Sequence, residues 1–333
     1  MADRIRVAVD AMGGDNAPLE IVKGAVMSLA VGDGHEVILV GIEDEVRKAL
    51  GEAGGSESDR LKIVGATEVI EMAEPPVAAI MKKRDSSIVK AMQMVRNGEA
   101  EAFVGAGSTG ATLVGGQTIV GRVKGVERAP LAPMIPTQKG SSLLIDCGAN
   151  VDARPSALVQ FAKMGSVYYS NVTGKKDPTV GIVNIGAEEE KGNALVKETF
   201  PLLKECSEIN FIGSAEARDI PAGAADVLVC EAFTGNVVLK MYEGVGKTAL
   251  TLLKTGLKKN LRSKIGAALA LPALKESLGV FDMTRYGGAP MLGLNGLVVK
   301  THGSAKAIEV SNSIMQCYEF YKQDIGKQIA KVI

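Results

Sequence analysis

The chain has 333 residues, 46% hydrophobic and 23% charged, with Lys+Arg and Asp+Glu both totalling 38. That length accommodates one large α/β unit with a sizeable core. The even charge balance points to neither a nucleic-acid nor an acidic partner, so any electrostatic recognition has to come from local clustering.

MADRIRVAVD enters a strand at once and leaves no room for a signal peptide. Short apolar runs then recur at 36–41, 61–65, 102–107, 142–148, 180–186, 209–213, 226–231 and 297–303, after the first at 5–10. Each is followed by glycine or a polar turn and then by a helical pattern. Continuous apolar strands alternating with helices predict an α/β fold, a mostly parallel sheet with helices on both faces. The reading is a single bilobed catalytic unit over 1–333, interrupted by a helical insertion at 237–280. Ligands of such sheets sit beyond the carboxyl ends of the strands, and here those ends are rich in Gly, Asp, Asn, Ser and Lys. No run approaches the ~20 apolar residues of a membrane span. Four widely spaced cysteines (147, 206, 230, 317) without C-x-x-C read as reduced thiols of a cytoplasmic protein, and two distant histidines, His35 and His302, give no His-based metal site.

The first strand ends at Asp10, and VAVDAMGGDNAP (7–18) follows. Gly13 and Gly14 permit a tight turn, and Asp15 or Asn16 is expected to cap a helix with Pro18 in its first turn. Asp10 would line the active edge, orienting a basic group rather than touching phosphate.

AFVGAGSTGATLVGG (102–116) matches the G-x-G-x-x-G dinucleotide pattern through Gly105, Gly107 and Gly110. A dinucleotide site also needs the first βαβ unit and an acidic residue about 20 positions on, at a strand end. Glu127 is near that distance but lies in GRVKGVERAP, which is no strand end. An anion cradle fits better: glycine amides ahead of a helix converge on a phosphate, and the hydroxyls of Ser108 and Thr109 cap the helix or donate to the anion.

Further strand ends carry Asp146 and Asn150 (LLIDCGANVDARP), then Lys191 after Glu188, Glu189 and Glu190, where a helix is expected to start. A cation beside Gly192 would complete a phosphate clamp. In CEAFTGNVVLK (230–240), Thr234-Gly235-Asn236 leads a helix, and the Asn236 amide either caps it or donates to a developing oxyanion. Gly287, Gly288 and His302 lie in two last glycine-rich turns. No G-x-S-x-G elbow, Walker A lysine or zinc spacing occurs, so covalent Ser or Cys catalysis is unsupported and a bound phosphate could itself be the nucleophile.

The insertion places Leu250, Leu253, Leu257, Leu261 and Ile265 at helical spacing among Lys254, Lys258, Lys259, Arg262 and Lys264. IGAALALPAL is expected to form an apolar tip broken by Pro272. Two compatible uses follow: a dimer-forming helix pair, or a tip with Leu269 and Leu271 entering a bilayer surface while the lysines meet anionic headgroups or an acidic carrier protein.

DAMGGD (10–15), AGSTGA (106–111), DCGAN (146–150), EEKGN (189–193), AFTGNVVLK (232–240), YGGAP (286–290) and HGS (302–304) occur in the order seen in bacterial phosphate acyltransferases of phospholipid synthesis, the PlsX family, which the chain resembles from Ile5 to near its C-terminus. The resemblance implies a fold like the isocitrate and isopropylmalate dehydrogenases, shared with phosphate acetyltransferases, and no cofactor. It implies transfer of an acyl group from acyl carrier protein to inorganic phosphate by a peripherally membrane-associated homodimer. The acyl phosphate would pass to a membrane glycerol-3-phosphate acyltransferase. Lys191 and Asn236 match positions essential in the family. Asn16 stands where many members have His, and Glu231-Ala232 where Asp-Gly is common. A phosphate acetyltransferase using short acyl-CoA and an NAD-dependent dehydrogenase are the competing readings.

Overall fold

A computed structural model describes residues 4–279 and 283–333. The chain runs β1 (Ile5–Asp10), α1 (Leu19–Val31), β2 (His35–Gly41), α2 (Glu43–Glu52), β3 (Leu61–Gly65), α3 (Pro76–Lys82), α4 (Ser87–Arg96), β4 (Ala102–Gly105) and α5 (Thr109–Gly115), which continues into a π-helical turn. It then runs β5 (Met134–Thr137), β6 (Gly140–Ile145), α6 (Pro155–Thr173), β7 (Thr179–Asn184), α7 (Ala194–Glu205), β8 (Asn210–Glu216) and β9 (Val227–Val229). The last elements are α8 (Ala232–Lys258), α9 (Leu261–Gly279), β10 (Ala289–Met291), β11 (Leu297–Lys300), α10 (Ala307–Lys322) and α11 (Ile325–Val332).

The strands form two sheets, β10-β11-β4-β1-β2-β3 and β5-β6-β9-β7-β8. Period-two side-chain alternation explains why the strands read as unbroken apolar runs. Val7, Val9, Val37 and Leu39 face a cluster with α1, α2 and α10, while Ala8, Ile38, Val40, Phe103 and Val298 face a second cluster with α3, α4 and α5. A strand buried on both faces has no polar side to show. The second sheet repeats this. Leu143, Ile145, Val180, Ile182 and Val229 pack on α6, α7 and α11; Leu144, Val183 and Leu228 face the other way, toward Val238, Leu239 and Tyr242 of α8.

All the apolar runs read from the sequence contain strands. Two short ones escaped that reading: β5 and β10, antiparallel edges that each carry a proline, Pro136 and Pro290. Proline cannot donate to a ladder and is tolerated at an edge.

The helical insertion departs from expectation in two ways. It starts at Ala232, five residues before the expected boundary, and its last expected residue, Val280, lies outside the described residues. Its turn falls at Lys259-Asn260, and Pro272 sits inside α9 without ending it. IGAALALPAL is therefore one leg of a helical hairpin, and the tip itself is basic. The hairpin stands well away from the core: Leu252, Leu261 and Leu269 are 69%, 73% and 80% exposed.

Candidate functional site

The carboxyl ends of β1, β4 and β11 lie side by side, with Asp10 and Lys300 both registered against Gly105. Their loops touch through glycine. A Cβ on Gly13 would come within 2.6 Å of the Gly107 nitrogen, and one on Gly14 within 2.9 Å of the Gly303 carbonyl. Asp15 N–H donates to Gly303 O at 2.8 Å and Thr301 N–H to Gly105 O at 3.0 Å, so three loops are sewn into one floor.

On that floor the α5 N-terminus opens. The Ser108 hydroxyl accepts from Ala111 N–H at 3.3 Å as the helix cap. Gly110 packs its bare α-carbon on Pro76 of α3, where a Cβ would lie 2.9 Å from the proline ring. Among the described residues, the amides of Gly107, Ser108, Thr109 and Gly110 have no hydrogen-bond partner. Amides at a helix start, left unpaired with glycine on both sides, form a local positive potential suited to an anion.

Two buried charges lie behind the amides. Burial pushes the Asp10 carboxyl up from its ordinary value, against the pull of the Ser87 hydroxyl and the Met12 amide. Burial also lowers the Lys300 ammonium to about 8, although the field of Asp10 opposes this. Lys300 Nζ donates to Ala106 O at 3.1 Å and to Thr301 O. The carbonyl of a trans peptide points opposite to its N–H. Holding Ala106 O therefore fixes the direction of the Gly107 amide. Sequence reading missed Lys300 because a lysine after an apolar run looks like a solvated strand end; only the register against β4 shows it is buried.

The second sheet contributes its own strand ends. Asp146 is fully buried: Oδ1 accepts from Leu131 N–H at 3.0 Å and Ala149 N–H at 3.2 Å, and Oδ2 accepts from the Asn150 backbone and side-chain amides at 2.8 and 2.7 Å. Asn150 in turn donates to Ala129 O at 3.0 Å. Both residues, expected to bind substrate, have their polar atoms turned into the protein and brace the loop after β6 against the crossover between the sheets. Ala149 packs on the cluster holding Ala111, which brings this loop beside α5.

Gly235 lets α8 start there: a Cβ would sit 1.9 Å from Asp146 O. The cap is Glu231, whose carboxylate accepts from Phe233 and Thr234 N–H, so Thr234-Gly235-Asn236 is inside the helix rather than leading it. Asn236 is left exposed without a partner among the described residues, with Oδ1 4.0 Å from where a Gly148 Cβ would stand. Lys240, one turn on, is close enough to Lys300 to lower its pKa, which places α8 along the cleft between the sheets.

Lys191 is exposed on the loop after β7, and its ammonium pairs with Glu188 at 2.8 Å, which raises its pKa. The helix expected there starts later, at Ala194, capped by Asn193 Oδ1 to Val196 N–H at 2.9 Å. The cap expected for α1 also fails. Asn16 Nδ2 instead donates to Ser304 O and Ala305 O, tying the first loop to the last. Gly287 and Gly288 pack against Gln316 of α10 and Lys300 O, and His302, exposed, bonds Ser304 Oγ at 2.8 Å. Burial raises the Cys147 and Cys230 thiols well above their ordinary value, which holds them protonated. Among the described residues no three His, Cys, Asp or Glu side chains come together as metal ligands.

A family model described as "Fatty acid synthesis protein" matches residues 5–328. The chain is 48% identical to a "Putative phosphate acyltransferase" of Clostridium perfringens (strain 13 / Type A), over 97% of this chain and 95% of that protein. It is 46% identical to a "Phosphate acyltransferase" of Clostridium beijerinckii, over 98% of each. Among solved structures, a phosphotransacetylase from Streptococcus pyogenes superimposes with a TM-score of 0.62 at 15% identity, covering 96% of this chain and 94% of that one. A branched-chain phosphotransacylase from Enterococcus faecalis gives a TM-score of 0.56 at 15% identity, covering 95% and 98%. These two likenesses speak for the fold alone.

Proposed function

The chain belongs to the phosphate acyltransferase family, and from that premise we propose that it moves a long-chain acyl group from acyl carrier protein to inorganic phosphate, giving acyl phosphate for phospholipid synthesis. The observation that carries the reading is the run of four amides at 107–110, unpartnered among the described residues, the first of them oriented by Lys300 through Ala106 O, with Asn236 of α8 beside Gly148 on the loop that packs near α5.

Phosphate near neutrality is already an anionic nucleophile, so the task is orientation. Holding it against a thioester carbonyl in a near-attack pose contributes ~7–11 kcal/mol. In this reading the 107–110 amides seat the phosphate, and Lys191 leaves Glu188 to close over it. Attack of a phosphate oxygen on the thioester carbon forms a tetrahedral oxyanion, which the Asn236 amide stabilises. Collapse expels the carrier thiolate, which takes up a proton, and leaves the acyl phosphate.

The exposed stripe Phe233, Val237, Met241, Val245 on α8, with Leu269 and Leu271 on α9 and the basic turn at Lys258, Lys259 and Arg262, supports a cytoplasmic homodimer that rests peripherally on an anionic membrane. No helix among the described residues is long and apolar enough to cross one.

The test is to mix long-chain acyl carrier protein with inorganic phosphate and trap acyl phosphate as its hydroxamate. Hydroxamate that requires both substrates upholds the reading. Preference for short acyl-CoA overturns the donor assignment, and tight NADH binding without hydroxamate overturns the reaction.

A further inference from the structure

A cavity of about 350 Å³ opens beside the loop after β6, lined by Arg122, Glu127, Arg128, Asp152, Arg154 and Ala157. Three guanidinium groups from two separate segments meet there. Arg122 donates to the Glu127 carbonyl, and the Glu127 carboxylate accepts from Ser156 Oγ at 3.0 Å. Among the described residues, the guanidinium groups of Arg128 and Arg154 make no hydrogen bond or ion pair; the Arg154 carbonyl is taken by Leu158 N–H at 3.2 Å inside α6. Two unpaired guanidinium groups on one concave surface present fork-shaped donors matched to phosphate oxygens. The uncapped first turn of α6, at Ala157, adds its field to theirs.

The cavity is tied to the reaction site by a short piece of chain. Gly148 faces Asn236, and Asp152 follows it by four residues, so the two are at most ~14 Å apart. Arg128 adjoins Ala129, whose carbonyl Asn150 holds. A pantetheine arm with its thioester at Asn236 is long enough to bring its phosphate to the guanidinium groups.

We propose that the Arg122–Arg128–Arg154 cavity seats the phosphate at the base of the acyl donor's pantetheine arm, separately from the inorganic phosphate that reacts. The proposal rests on the reading that the donor is an acyl carrier protein. It assigns the donor and the nucleophile two anion sites joined by the 146–152 loop, which lets the arm align the thioester before phosphate attacks.

Direct binding tests it without turnover. Titration of the full chain with 4′-phosphopantetheine and with pantetheine, no inorganic phosphate present, is expected to show at least ~10-fold tighter binding of the phosphorylated arm. In Arg128→Gln/Arg154→Gln that preference should vanish, and the KM for acyl carrier protein should rise by ~10-fold or more. Both side chains are exposed and unpaired, so an unchanged thermal midpoint is expected, and Arg128→Lys/Arg154→Lys should recover part of the preference by restoring charge without the fork. Equal binding of the two arms by the unmodified protein would overturn the proposal. So would a double variant whose main loss is affinity for inorganic phosphate, since the cavity would then belong to the nucleophile. Because the titration involves no chemistry, its failure is separable from a failure to form acyl phosphate.

Discussion

The two sides of the cleft are built on opposite principles. The first sheet offers backbone: amides at 107–110, glycines that let loops touch, and two charges, Asp10 and Lys300, buried behind them. The second sheet offers exposed side chains: Lys191, paired with Glu188 on the loop after β7, and Asn236, unpartnered among the described residues, near the start of α8, whose Ala232 amide rests on the Asn150 carbonyl of the loop that Asp146 braces. Backbone dipoles fixed by packing lose no entropy when an anion arrives, whereas exposed side chains must be ordered each time. On the proposed reading the phosphate is seated on the rigid side, while the adjustable side supplies Lys191 to close over it and Asn236 to the changing carbonyl.

If that division holds, the largest effect should come from Asn236. Asn236→Ala is expected to fold normally and lose ~10²–10³ in kcat, since one oxyanion donor typically carries that much; turnover close to the unmodified rate would remove Asn236 from the chemistry. Gly13→Ala comes next. Its methyl would sit 2.4 Å from Asp10 Oδ2 and 2.6 Å from the Gly107 nitrogen. Overpacking at such a contact costs ~1–3 kcal/mol, visible as a lowered denaturation midpoint together with a weakened phosphate KM.

Lys300 sharpens the comparison through pH. Its ammonium, lowered to about 8, grips Ala106 O most firmly when charged. The phosphate KM should therefore rise above about pH 8 in the unmodified protein, and this rise should be absent in Lys300→Met. The stability trend runs the other way. Because the folded-state pKa lies below the unfolded value, the unfolded chain binds more protons between about 8 and the ordinary lysine value of 10.5. Stability relative to Lys300→Met should thus climb with pH across that window. Chemical denaturation at pH 8 and 10 checks the sign.

A smaller effect is expected at Lys191. Lys191→Ala should raise the phosphate KM several-fold, while Glu188→Gln, which frees the ammonium from its partner, should lower it; an unchanged KM in both would confine Lys191 to a surface ion pair. The hairpin should matter least to chemistry. Leu269→Glu/Leu271→Glu is expected to abolish sedimentation with anionic vesicles and leave hydroxamate formation from soluble substrates within about two-fold, in keeping with side chains that touch nothing in the core.

The central strands were legible because burial on both faces forces apolar residues at nearly every position, a local signature that needs no tertiary knowledge. The glycine-rich turn was legible for the same kind of reason: Gly105 to Gly110 ahead of a helix is a local pattern, and the sequence alone weighed against a dinucleotide there because the pattern lies outside the first βαβ unit and lacks the acidic strand end. Asp146 and Asn150 were found, but the direction in which they point was not, because an acid at a strand end reads identically whether it faces a ligand or the Leu131 amide. The cap expected from Asp15 or Asn16 is not formed; the partners Asn16 takes instead, Ser304 and Ala305, lie almost three hundred residues away.

By itself, then, the sequence determined which apolar runs become strands (though not the short proline-bearing edges β5 and β10), where glycine amides could hold an anion, and that the insertion would be helical. Tertiary structure alone decided that Lys300 is buried beneath those amides, that Lys191 meets Glu188, that the hairpin turns at Lys259-Asn260, and that three arginines share a cavity. Local composition sets backbone preference within a few residues, whereas burial and charge pairing depend on which distant strands lie side by side.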